Sequence, residues 1–471
     1  MNLMDDTELC FTPATTLAAM IRSKEVSPVE TTRAVLDRIA AVDAKVNAFA
    51  ALDADGAMAA ARAAEAAVMA GGALGPLHGV VATVKDLADV AGLPTERGSH
   101  TAKGKIADLD TPFAARLKAA GAVILGKTTT SELGWTGVSR SPLTGITHNP
   151  WRHGHNAGAS SAGAGAAAAA GFGPLHQGSD GAGSIRMPAH FCGVFGLKPT
   201  FGRVPNWPVP NNDQTSHNGP LTRTVADAAL MMEVMAGPAP LDHWTLEAPP
   251  ADYSARLGEG IAGLRVAYSP DLGHARVDPE IATLVADAVK AFAGLGVTVE
   301  EVTPPFETDG PDLVRFMWST QMGTYAPFLA EYRDRMDPGL VACMEEAEGR
   351  SAAEYLAVRG RKLRYIESVN RFFQDWDLLL TPAVSVAAFP AERLQPAHWP
   401  EHPWDWISWA EFSWPFNFSG TPAASVPCGF TKDGLPVGLQ IAGRRFADLT
   451  VLQAAAAFEQ ARPWADKRPS L

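Results

Sequence analysis

The sequence predicts an α/β fold, one large sheet-centred domain with a smaller lobe, on three observations. From Leu77 onward, short apolar runs alternate with amphipathic helical stretches, the pattern of strands laid between helices. The chain has 471 residues, of which 46% are apolar, so it can bury a larger core than most single domains. Charged residues make up only 19%, which leaves little room for a long disordered region.

Taken in order, Ser27-Pro28-Val29-Glu30 combines a capping box with proline at the first helical position. Thr32, Val35, Leu36, Ile39 and Val42 then recur at helical spacing, so an amphipathic helix begins there. A second, alanine-rich helix is expected over Asp55 to Ala70, stopped by Gly71-Gly72. Val80 to Val84 and Val123 to Leu125 read as strands, with a helical stretch from Pro112 to Ala120 between them. A further strand–helix–strand unit runs from Leu264 to Tyr268, through Asp278-Pro279-Glu280 to Leu295, and on to Val297–Val302. The Pro/Ala-rich stretch Gly237 to Pro250 reads as a connection. Residues Arg393 to Phe416 hold five of the twelve tryptophans, interrupted by prolines, and fit no regular element. Two readings of this segment stay open, a packed irregular excursion and a flap over an apolar site.

The formal charge of −12 is spread without a basic block, which argues against nucleic acid or an anionic membrane surface as partner. The four cysteines lie far apart with no C-x-x-C pair, so they read as reduced structural thiols. Met1 to Cys10 carries acids and no basic n-region, and no apolar run is long enough to span a bilayer. The expectation is a cytoplasmic protein.

Chemistry concentrates in two loops of small residues. One is Gly158-Ala159-Ser160-Ser161-Ala162-Gly163. The other is Gly178-Ser179-Asp180-Gly181-Ala182-Gly183-Ser184-Ile185-Arg186-Met187-Pro188. Small residues let backbone N–H groups come close to a reacting atom, and successive N–H groups round a turn form a concavity for negative charge. That is the environment an acyl-transfer nucleophile needs.

These two loops resemble the GGSSGG and G-[ST]-D-x-G-G-S-[IV]-R-x-P motifs of the amidase signature family. His78 to Asp86 is similar to that family's lysine-bearing strand. Pro415-Phe416-Asn417, Gly420 to Ala423 and Gly434 to Gln440 resemble its C-terminal signature. The resemblance covers nearly the whole chain and is weakest from about Pro238 to Pro415. It implies a large mixed, mainly parallel sheet flanked by helices, with a smaller helical or irregular substrate lobe. Within a single domain over 1–471 it implies N-terminal helices over 1–70, a catalytic core over 77–235, a variable pocket region over 238–415 and a C-terminal core segment over 416–471.

A serine hydroxyl needs a base, and the sequence offers neither a G-x-S-x-G elbow nor an S-x-x-K pair. Lys85 is left for that role, its apolar flanks Val80 to Val84 and Leu87 predicting the burial that lowers a lysine pKa. By the resemblance, Ser184 is the nucleophile and Ser160, after a cis peptide bond, relays the proton to Lys85. Backbone N–H groups of Gly181, Ala182, Gly183 and Ser184 would form the oxyanion hole, with Ser161, Asp180 and Arg186 organising the loops. Ala159, Ala162 and Ala182 stand where the family has glycine, and Ala182 is expected to narrow the space near the oxyanion. Gly134, Trp135, Thr136 and Trp207 are candidate pocket residues.

Two other motifs fail on context. Gly121 to Thr128 spells G-x-x-x-x-G-K-[ST], but here Ala122 to Leu125 are themselves the strand that should precede such a loop. Gly163-Ala-Gly165-Ala-Ala-Ala168 follows the serine loop rather than a strand. His153 and His155 sit in a Gly-rich loop and read as local hydrogen-bonders. The expectation is an amidohydrolase without metal or cofactor, a monomer or homodimer acting on small apolar or aromatic amides, with esters and carbamates within reach. The competing readings are an amidase component of a glutamyl-tRNA amidotransferase-like complex and a phosphate-loop nucleotide binder.

Overall fold

A computed structural model describes residues 5–247 and 251–471. The helix expected after Ser27 is α1 (Pro28–Val46), with both halves of the capping box made. Helix α2 (Ala54–Ala70) ends at Gly71 in the left-handed conformation, as the glycine pair predicts. Between and beyond them runs one mixed sheet of 11 strands.

In chain order the strands are β1 (Phe49–Leu52), β2 (Val81–Lys85), β3 (Val123–Thr128), β4 (Leu175–Asp180), β5 (Phe195–Lys198) and β6 (His217–Thr222), then β7 (Arg265–Tyr268), β8 (Thr298–Glu301), β9 (Leu378–Pro382), β10 (Ala423–Phe430) and β11 (Pro436–Gly443). Their spatial order is β1-β3-β2-β4-β6-β5-β10-β11-β9-β7-β8. Parallel pairing lies in two blocks: β2 between β3 and β4, and β7 between β8 and β9. Antiparallel pairs join the blocks through β6, β5, β10 and β11, and β1 pairs antiparallel on the edge at β3. Every residue of β2 is buried, which carries Lys85 into the interior. Lys127 lies on β3 itself, its Nζ bonded to the Pro94 carbonyl at 3.0 Å and to Thr95 Oγ1 at 2.9 Å, so Gly121 to Thr128 forms no phosphate loop.

Helix α3 (Ala162–Ala170) is buried on all sides, which only a stretch of alanine and glycine permits at such close range. A Cβ on Gly163 would stand 2.3 Å from the Ala48 carbonyl oxygen. Helix α4 (Arg186–Cys192) follows β4 and the second serine loop, and all seven of its residues are buried.

Residues 238–415 give β7, β8 and β9 to the sheet. They also supply helices α5 (Gly310–Met322), α6 (Pro338–Glu346) and α7 (Ala352–Asp375), which build a second apolar cluster. The stretch expected as a connection is irregular over 237–247, and residues 248–250 lie outside the described residues. The tryptophan-rich segment is a packed excursion: Trp399, Trp404, Trp406, Trp409 and Trp414 are all buried in the second cluster. Four of these indoles find acceptors, namely the Ser408, Trp135 and Leu394 carbonyls and the Glu346 carboxylate. Buried rings with satisfied N–H groups are core, not flap.

Candidate active site

Three segments meet at the C-terminal ends of β2 and β4. Lys85 ends β2, Ser160 and Ser161 precede α3, and Ser184 lies in the loop from β4 to α4. Lys85 Nζ stands 2.7 Å from Ser160 Oγ, 2.9 Å from Ser161 Oγ, 3.0 Å from Ser179 Oγ and 3.3 Å from the Ser179 carbonyl. Burial pushes the Lys85 ammonium well below its ordinary pKa, with the Asp180 charge opposing. Once deprotonated, the amine has two N–H donors and one lone pair, the latter open to a hydroxyl proton from Ser160 or Ser179. Ser161 donates its hydroxyl proton to the Ser179 carbonyl at 3.0 Å, so it accepts from Lys85. Ser160 has Lys85 as its one hydrogen-bond partner among the described residues, so its proton is free to point into the lysine lone pair.

The loop carrying Ser184 is held from beneath. Gly183 donates its N–H to Asp180 Oδ1 at 2.6 Å and Ile185 donates to Oδ2 at 3.1 Å. Arg186 meets the same carboxylate through Nε and Nη2, and gives Nη1 to the Ser413 carbonyl and Gln440 Oε1, both at 2.9 Å. Asn417 donates to the Asp180 carboxylate at 2.8 Å and to its carbonyl at 2.9 Å. Burial alone would raise the Asp180 carboxyl, but the Arg186 charge and hydrogen bonds hold it far below the carboxylate range.

Three expectations change here. Gly183 N–H is already bonded to Asp180, which leaves the N–H groups of Gly181, Ala182 and Ser184 without an acceptor among the described residues. The Ala182 methyl is buried in the second apolar cluster and does not line the cavity, so the extra carbon leaves the substrate space open. The bond before Ser160 is trans, the one cis peptide among the described residues being Trp207–Pro208. Ser160 reaches Lys85 through the ordinary trans bond, which a non-proline residue favours by about 3 kcal/mol.

A cavity of about 370 Å³ opens beside Lys85, Ser160, Ser179 and Gly181. Ser184 is not among the residues lining it; it is 3% exposed, with no hydrogen bond to its hydroxyl among the described residues and none to Ser160. Gly134 and Trp207 line the cavity as expected; Trp135 and Thr136 do not. Trp135 is fully buried, its carbonyl accepting the indole N–H of Trp318 at 3.0 Å and of Trp406 at 2.9 Å, so it is a core strut. Trp318, Gln321, Met322 and Tyr325, from α5 and the turn after it, also line the cavity. No sequence motif marked these. Asn417 and Gln440 sit inside the C-terminal signature, where their polarity amid apolar neighbours is the signal that points to them.

The fold and this loop architecture define an amidase-type hydrolase scaffold, and comparison agrees. The Amidase family matches residues 30–452, and the chain belongs to it, among the amidase signature enzymes. It is 40% identical to an acylamidase of Rhodococcus erythropolis, over 99% of each chain. It is 34% identical to a glutamyl-tRNA(Gln) amidotransferase subunit of Moorella thermoacetica, over 98% of this chain and 99% of that one. A bacterial aryl acylamidase structure superposes with a TM-score of 0.90 at 30% identity, over 97% of each chain.

Proposed function

We propose that this chain hydrolyses small acyl amides, aryl amides included, through an acyl-enzyme on Ser184. The observation that carries the reading is Lys85 caged by three serine hydroxyls, its pKa lowered by burial, beside the clamped loop of Ser184. Lys85 takes the Ser160 proton; Ser160, turning toward Ser184, takes the Ser184 proton as its oxygen attacks the carbonyl carbon. The oxyanion is met by N–H groups of Gly181, Ala182 and Ser184, each strong donor being worth about 3 kcal/mol. The proton returns through Ser160 to the departing amine, and water, activated by the same route, frees the acid. Ser161, Asp180 and Arg186 position these groups. The likeness to an acylamidase and to an aryl acylamidase structure supports amides as the substrate class. Esters and carbamates present the same carbonyl to the same serine.

No described helix is long and apolar enough to cross a membrane. With its dispersed acidic charge, we read the protein as a cytoplasmic enzyme of small molecules, monomeric or homodimeric.

The test is a panel of amides, anilides, esters and carbamates on wild type, Ser184→Ala, Ser160→Ala and Lys85→Ala, with mass spectrometry for an acyl group on Ser184. Turnover lost in Ser184→Ala and Lys85→Ala supports the reading; near-normal activity of Lys85→Ala at pH 7 would exclude lysine as base. The similarity to amidotransferase components favours a second reading, a chain that works only with partner chains. Hydrolysis of a 4-nitroanilide by the isolated chain decides against it.

A further inference from the structure

The active-site cavity continues outward into a second cavity of about 460 Å³, and the two share Arg97, Leu133 and Tyr325. Among the described residues neither cavity has a carboxylate in its lining, although the chain is acidic overall. The inner cavity holds two basic side chains, Lys85 and Arg97, and burial disfavours the charged form of Lys85. Lys103 and Lys105 line the outer one.

The backbone of Arg97 is anchored on both sides, while its side chain has no hydrogen-bond partner among the described residues. Its N–H donates to the Asp86 carbonyl, its carbonyl accepts from Leu133 N–H, and the flanking Glu96 and Gly98 N–H groups both donate to the Asp86 carboxylate. Its backbone is left-handed at φ 56°, a conformation costly for a residue with a Cβ. Yet its Nε is buried without a hydrogen-bond partner, and the guanidinium forms no ion pair among the described residues. Asp86 is engaged with Lys127 and the loop N–H groups, and Glu96 with Gly104 N–H at 2.7 Å. Arginine donors left unmet in a concave site are matched by a planar anion, and carboxylate fits the fork.

We infer that Arg97 is a specificity residue that holds a carboxylate on the part of the substrate remote from the scissile amide, so that the site selects amides with an anionic end. This rests on the amide-hydrolase reading and narrows its substrate class.

The test uses two matched pairs: glutaryl against pentanoyl 4-nitroanilide, with the charge on the acyl side, and N-acetyl-4-aminobenzoate against acetanilide, with the charge on the amine side. In wild type the anionic member of at least one pair should have the lower KM, and added salt should raise it. Arg97→Gln should raise that KM at least about tenfold more than the KM of the neutral member, and Arg97→Lys should recover part of the difference. Calorimetric titration with benzoate gives a readout free of turnover, with salt-sensitive binding to wild type weakened at least about tenfold in Arg97→Gln. Equal KM changes within both pairs, or benzoate binding unaltered by Arg97→Gln, overturns the inference. Ser184-dependent turnover of the neutral members together with that result leaves the amidase reading standing. Absence of all Ser184-dependent turnover overturns the amidase reading itself, and the benzoate titration still decides on Arg97.

Discussion

Arg186 grips the Asp180 carboxylate with two nitrogens, Nε on Oδ2 at 3.0 Å and Nη2 on Oδ1 at 2.8 Å, and both side chains are fully buried. The same carboxylate receives Gly183 N–H and Ile185 N–H, the residues on either side of Ser184. One ion pair therefore fixes the turn that carries Ser184.

Removing the charge from one side leaves the other buried alone. Asp180→Asn should lower stability by about 3–5 kcal/mol in urea denaturation, because the Arg186 guanidinium loses its counter-charge. A loss below about 1 kcal/mol would contradict the role given to the pair. Because the folded carboxyl titrates below its unfolded value, its contribution is complete above the ordinary carboxylate pKa of about 4. It disappears only as pH falls through the lower folded value. The gap between wild type and Asp180→Asn should accordingly hold from neutral pH down to about pH 4 and shrink below it.

Lys85 predicts a slope of the same sign on the alkaline side. Burial lowers its folded pKa well below 10.5, so between that folded value and the unfolded one the unfolded chain binds a proton the native chain does not. Stability therefore rises with pH across this window. Lys85→Met should flatten that rise, measured as urea midpoints at pH 7 and pH 9.5. With Lys85 as the base proposed above, kcat/KM should climb with pH through the lowered value and then level off. A rate still climbing to about pH 10 would mean an unperturbed lysine.

Much of this was legible in the residues, for identifiable reasons. The capping box at Ser27, the glycine stop at Gly71 and the apolar runs of β2 and β3 are local signals, and the elements formed where those signals lie. Lys85 and Ser160 meet at 2.7 Å because the apolar run of β2 carries the lysine inward and the small residues round Ser160 allow close approach. What stayed hidden depends on contacts distant in sequence. Trp135 looks like a pocket aromatic until its carbonyl is found between the indoles of Trp318 and Trp406, 183 and 271 residues away. The wall formed by Trp318, Gln321 and Tyr325 has no motif because any side chain of suitable shape can line a cavity. Gly183 N–H reads as an oxyanion donor from its position in the loop, and only its 2.6 Å contact with Asp180 reassigns it.

The two glycines of the loop before Ser184 should respond differently to a methyl group. Gly183 has φ 122°, and a Cβ there would stand 2.5 Å from both Met187 Cε and Ser413 Oγ. Gly181→Ala instead meets Ser216 Oγ at 3.7 Å and Trp318 at 3.8 Å, ordinary contacts on the cavity side. Gly183→Ala should therefore cost about 1–3 kcal/mol of stability together with activity toward every substrate. Gly181→Ala should fold with nearly native stability and discriminate against bulky acyl groups. Thermal denaturation beside a series of acyl anilides of growing chain length separates the two. Equal Tm losses would refute the distinction.

Glu132 lies one residue before the cavity-lining Leu133 and is fully buried between two parts of the structure. Its Oε1 accepts from Ser99 Oγ at 2.8 Å and its Oε2 from Asp337 N–H at 2.7 Å, while Asp337 itself accepts from Arg140 Nε at 3.2 Å. Burial raises the Glu132 pKa to about 7, the hydrogen bonds from Asp337 N–H and Ser99 opposing and the Asp337 charge adding to the rise. With the folded value above the unfolded 4.5, the native chain holds the extra proton between those two pH values. Stability must then fall as pH rises from about 4.5 to about 7. A glutamine keeps the shape: its oxygen can accept from Asp337 N–H while its amide donates to Ser99 Oγ, which can turn its proton to Thr101 Oγ1 at 2.9 Å. Glu132→Gln should remove the decline and, at pH 8, exceed wild type by on the order of 2 kcal/mol in urea denaturation. If the variant instead lost stability at pH 8, the carboxylate would be stabilising the fold as an anion, and the pKa of Glu132 would have to lie well below neutrality.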